Sequence, residues 1–93
     1  MIDPLNCDIF KRSTDGRLLI EVQGIKIFLK QEQTFGMVHD LILKSTNYNL
    51  MCKIVCDERK GKVIMISCAG FKSDIVKIMI EESMKKAGLL YVS

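Results

Sequence analysis

The residues from Asn49 to Cys68, NLMCKIVCDERKGKVIMISC, restrict the folding of this chain more than any other stretch. Apolar and β-branched residues alternate on both sides of Asp57-Glu58-Arg59-Lys60-Gly61, which suits a ribbon with one buried face. A three-residue loop, Arg59-Lys60-Gly61, fits the hairpin whose last loop position is left-handed, a conformation that costs glycine nothing. That loop sets Glu58 opposite Lys62, Cys56 opposite Ile64, Ile54 opposite Ile66 and Cys52 opposite Cys68. One face then holds Leu50, Cys52, Ile54, Cys56, Ile64, Ile66 and Cys68, and the other Met51, Lys53, Val55, Asp57, Val63, Met65 and Ser67. A slip of one residue would bury Lys53 and Asp57, so burial of the first face fixes the pairing.

Residues 17–22 and 25–30 repeat the pattern around a Gln23-Gly24 turn. Val22 faces Ile25, Ile20 faces Ile27 and Leu18 faces Leu29 on one side. The reverse side pairs Glu21 with Lys26, Leu19 with Phe28 and Arg17 with Lys30. The first two of these pairs each contribute about 0.2–1 kcal/mol. Residues 7–12 read as a short edge strand ended by the turn signal Ser13-Thr14-Asp15-Gly16.

Two helices are expected. Thr34 can cap one over 35–46, where Phe35, Val38, Leu41 and Ile42 recur at helical spacing. Ser73 can cap another over 74–87, with Val76, Met79, Ile80 and Ser83 as its inner stripe, widened by Ile75 and Ile78. Gly88 closes it, and 89–92 read as a last short strand. The expected fold is a single α+β domain over 1–93. It is a mostly antiparallel sheet of two hairpins plus short edge strands, with both helices on one face. Read from Ile25, the order is βαββαβ, the ferredoxin-like arrangement.

The chain of 93 residues is 48% hydrophobic and 27% charged, which sets it apart from disordered sequences. Its net charge of +3 is too mild for a strongly basic nucleic-acid footprint, and is densest at Arg59, Lys60 and Lys62. Charged residues interrupt every apolar run, so no membrane span is expected. MIDPLNCDIF lacks the cationic and apolar regions of a secretory signal, and the four cysteines lie on apolar faces. An intracellular, reducing setting is the expectation.

Catalytic chemistry has little to draw on. Cys52 and Cys56 are spaced like metal ligands, but on a strand they stand about 13 Å apart. His39, the one histidine, lies beside Asp40 with no cysteine or serine near it in sequence. Phosphate loops and hydrolase motifs are missing. No enzyme activity, cofactor or metal is therefore expected. The sheet face without helices would carry Leu19, Phe28, Met51, Val55, Val63 and Met65, rimmed by Arg17, Lys26, Lys30 and Lys53. An apolar area rimmed by charge points to a protein partner or a homodimer, bound through that face or an edge strand. The alternative is RNA or ribosome binding through Arg17, Lys26, Lys30, Arg59, Lys60 and Lys62. A thiol-dependent redox role for Cys52 and Cys68, cross-strand neighbours, is the third reading.

The segments RSTDGRLLIEVQGI and GKVIMISCAGFKSDIVKIMIEESMKKAGL resemble the small initiation factors that guard start-codon selection on the ribosome. Those proteins carry a basic hairpin, a VQGI-like strand end, a helix, a hairpin, a helix and a last strand. The resemblance would make Arg12, Arg17, Arg59, Lys60 and Lys62 contacts to ribosomal RNA. The chain departs from the family at Cys68-Ala69-Gly70, where the family has Gln-Gly-Asp, and lacks its Cys-x-Gly.

Overall fold

Alternation prevails over helical spacing from Phe10 to Gly70. The computed structural model describes residues 7–90, so the proposed lead-in over 1–6 and the end of the proposed last strand, 91–92, lie outside the described residues. Six strands, β1 (Phe10–Arg12), β2 (Leu18–Val22), β3 (Ile25–Phe35), β4 (Val38–Ser45), β5 (Leu50–Asp57) and β6 (Lys62–Gly70), precede α1 (Ser73–Lys86). They form one antiparallel meander in which spatial order is chain order.

This corrects the ferredoxin-like expectation. Residues 35–46 are the end of β3, a tight turn and β4, and α1 is the only helix among the described residues. The turn explains the change: Phe35 pairs with Val38, and Gly36 between them has φ +60°, as a type II′ turn requires at its first central position. Beyond it Leu41 and Leu43 face the core while Val38, Asp40 and Ile42 face away, a period of two. The helix–hairpin–helix order implied by the likeness to initiation factors is likewise absent.

The proposed register of the first hairpin is present from Leu19 to Val22, and that of the second only from Cys52 to Val55, so the expected pairs Cys56–Ile64 and Glu58–Lys62 are not formed. Leu19 pairs with Phe28, Ile20 with Ile27, Glu21 with Lys26 and Val22 with Ile25. Cys52 pairs with Cys68, Ile54 with Ile66 and Val55 with Met65. The register then shifts, so that Cys56 meets Val63, Asp57 meets Lys62, and residues 58–61 make the loop. Ile64 is the extra residue of this bulge. It is exposed, and Val63 turns into the core at 1% exposure in place of the open face proposed for it.

The core lies between one sheet face and α1. Phe10, Ile20, Ile27, Leu43, Cys52 and Ile54 pack from the sheet against Val76, Ile80 and Met84. The helix stripe is thus Val76–Ile80–Met84, with Met79 partly buried, whereas Ile75 and Ile78 point to solvent. Ser73 is the first helical residue; the preceding Lys72 is left-handed and makes no side-chain cap. The C-terminus closes as a Schellman motif, with Leu89 N–H donating to Met84 and Gly88 N–H to Lys85. Lys62 Nζ donates to the Gly88 carbonyl, and Leu90 bridges Val63 in parallel.

Candidate functional site: an open face and an edge

On the sheet face away from α1, cross-strand neighbours line up in rows. One row runs Lys11, Leu19, Phe28, Lys44, Met51, Ala69. The next runs Gln31, Ile42, Lys53, Ser67, and the one after it Gln33, Asp40, Val55, Met65. Lys44 therefore stands between Phe28 and Met51, and Lys53, 3.5 Å from Asp40, stands between Met51 and Val55. The oily area proposed from sequence is split by charge. Of its six residues, Leu19 (4%) and Val55 (7%) are already shielded by their neighbours, and Val63 is behind the sheet. The Arg17 guanidinium covers the half-buried Phe28 ring at 4.1 Å. Met51 and Met65 are the exposed remainder.

The basic residues fall into two groups. Arg17, Lys26 and Lys30 lie on or beside β2 and β3; Lys26 faces Glu21, which pairs with Lys11 at 3.2 Å. Arg59 and Lys60 are exposed on the loop between β5 and β6, and Lys62 is committed to the end of α1. Arg12 donates to the Gly16 carbonyl at 3.0 Å within its own turn. β4 and β5 separate the groups.

The histidine is better placed than its sequence neighbours suggested. Cross-strand pairing sets His39 directly beside Cys56, a proximity invisible in the linear spacing. Yet both ring nitrogens are engaged, Nδ1 with Thr34 Oγ1 at 3.0 Å and Nε2 with Glu58 Oε2 at 3.1 Å. Burial, then the nearby carboxylates of Asp40 and Glu32, push the Cys56 thiol up to about 11. An activated nucleophile needs the opposite shift, so this pair has the wrong electrostatics for thiolate attack. Among the described residues no cluster of three potential metal ligands occurs.

β6 is the remaining feature. It is a nine-residue strand at the end of the sheet. Among the described residues, only Leu90 pairs with its outer side, at Val63. Phe71 N–H donates to the Asn49 carbonyl at 2.6 Å, which fixes the parity of the ladder. Pairs 51/69, 53/67 and 55/65 exchange backbone bonds, while 50/70, 52/68 and 54/66 do not. The backbone groups of Ile66, Cys68 and Gly70 therefore point outward. Residues 63–70 contain no charge and no proline, the usual means of blunting an edge. Ile64 and Met65 are exposed along the strand, and Ile75 and Ile78 on the helix behind it.

Comparison of the chain with protein-family models, with curated proteins and with solved structures finds no match. No helix among the described residues is long and apolar enough to cross a membrane.

Proposed function

We propose that this chain is a non-catalytic interaction module that accepts an additional strand on the outer edge of β6, from a partner protein or from a second copy of itself. The observation that supports this reading is the composition of that edge: nine residues long, uncharged and proline-free over 63–70, with outward backbone groups at Ile66, Cys68 and Gly70. Strand addition uses those groups for affinity and the alternate side chains for selectivity. A second copy would pair antiparallel about a two-fold axis, each β6 meeting its twin. The open face has weaker support because Lys44, Lys53 and Arg17 interrupt its apolar residues. RNA binding has weaker support still, since its basic residues form two separate groups and Arg17 occupies the face of Phe28.

Light scattering across a concentration series, paired with amide exchange, tests the reading. Association should rise with concentration and slow exchange at Ile66, Cys68 and Gly70, and Ile64→Lys should abolish both effects without lowering the melting temperature. For a separate partner, wild-type and Ile64→Lys baits should differ in what they retain. Equal behaviour of the two proteins in every assay would overturn strand addition at β6.

A further inference from the structure

Cys52 and Cys68 are directly opposed on β5 and β6, with their Sγ atoms 2.8 Å apart. The ladder parity makes them a non-bonded pair, the closer of the two antiparallel arrangements, with α-carbons about 4.5 Å apart. That separation lies inside the range a disulfide spans, and the sulfurs need approach by only about 0.8 Å to bond. The two thiols differ in surroundings. Cys52 is buried, as are Cys7 and Cys56, whereas Cys68 is the one cysteine of intermediate exposure.

We propose that Cys52 and Cys68 form a reversible redox site, in which a peroxide oxidises Cys68 and Cys52 resolves the product to an intramolecular disulfide. This does not depend on what β6 binds. The Cys68 thiolate attacks one peroxide oxygen and the O–O bond breaks; that oxygen stays on the sulfur as sulfenic acid, and the other leaves as hydroxide (or alkoxide), which takes up the proton released by the Cys68 thiol to give one water (or alcohol). The Cys52 thiol then displaces hydroxide from the Cys68 sulfur, giving the S–S bond and a second water. Two thiols lose two electrons and two protons in all, and the peroxide takes them up. A dithiol reverses the reaction by exchange.

Electrostatics assign the roles in the same order. The hydrogen bond to Cys52 and the ammonium of Lys77 on α1 hold the Cys68 thiol below its ordinary range, against burial and Glu81. The same hydrogen bond, then burial, pushes Cys52 up, so Cys52 is the thiol of the pair that keeps its proton when Cys68 gives its own up. A low, accessible attacking thiol beside a protonated resolving thiol is the arrangement redox-responsive pairs use.

Graded hydrogen peroxide followed by differential alkylation and peptide mass mapping tests the assignment on the whole chain. The expected result is a bond between the Cys52 and Cys68 peptides at doses that leave the exposed Met51 and Met65 unoxidised. Dithiothreitol should restore both thiols, and the oxidised protein should unfold at a higher denaturant concentration. Cys68→Ser should remove the bond, and Cys52→Ala should leave a sulfenic acid on Cys68 that a 1,3-diketone probe captures. The wild-type mapping stands by itself if either variant fails to fold. Oxidation of Met51 and Met65 before any Cys52–Cys68 bond, or preferential oxidation of Cys7 or Cys56, overturns the proposal.

Discussion

Gly70 sits where two backbones nearly touch. A β-carbon built on it would lie 1.9 Å from the Asn49 carbonyl oxygen, and its φ of +106° is one that side chains avoid. Gly70→Ala must move β5 away from β6 just where Phe71 donates to Asn49, and should cost about 3 kcal/mol in denaturant unfolding. The ion pair of His39 and Glu58 gives a pH signature. The hydrogen bond from His39 holds the Glu58 carboxyl below its ordinary 4.5. A depressed carboxylate contributes stability above its unfolded pKa and loses it as pH falls through the folded value. Wild-type melting temperature should therefore fall more steeply than that of Glu58→Gln once pH drops below about 4.5, as followed by circular dichroism. At this scale, sequence reading placed Leu19, Phe28, Met51, Val55 and Met65 on the outer face, where they lie. Val63 was misplaced because a bulge at Ile64 shifts one strand by a residue, and neither Val63 nor Ile64 differs enough in character to announce which would turn inward.

Among the elements, α1 and β4 teach opposite lessons. Val76 and Ile80 were legible as the inner stripe of α1, but Met84 was not, and Ile75 and Ile78 were assigned inward although they face solvent. The reason is that a helix lying on one sheet face buries a narrow stripe, while apolar residues beside it are free to point away. Ile80→Ala should lower stability by about 2–5 kcal/mol, whereas Ile78→Ala should stay within about 0.5 kcal/mol, both from urea denaturation. β4 was read as a helix because Phe35, Val38, Leu41 and Ile42 satisfy a spacing of three to four as well as any amphipathic helix does. A bulge past Leu29 adds to the confusion, since it brings Gln31 rather than Lys30 against Ile42 and breaks the alternation of β3. Gly36 is the signal that favours a hairpin here, since a glycine with positive φ suits a tight turn and only weakens a helix.

For the molecule as a whole, the register of the first hairpin was legible because its turn residues and cross-strand chemistry agreed, and that of the second was legible as far as Val55, where the bulge at Ile64 displaces the loop. The joining of those hairpins into one meander was hidden by the misread of 35–46. The result is a sheet whose inner face has α1 as its cover, through Val76, Ile80 and Met84. A chain ending at Phe71 should therefore fail to fold, giving poor dispersion in an amide NMR spectrum and binding of a hydrophobic dye. The full chain should give sharp, dispersed signals, and a well-folded truncation would show that the sheet carries its own stability.

That cover is also the last described element to be made. During synthesis each strand of the meander finds its mate as soon as the next one leaves the ribosome, with no wait for distant partners. The oily side of the finished ribbon array nevertheless stays wet until translation passes Met84. A growing chain of this kind would present that side to chaperones until α1 is made, and release would be timed by the helix.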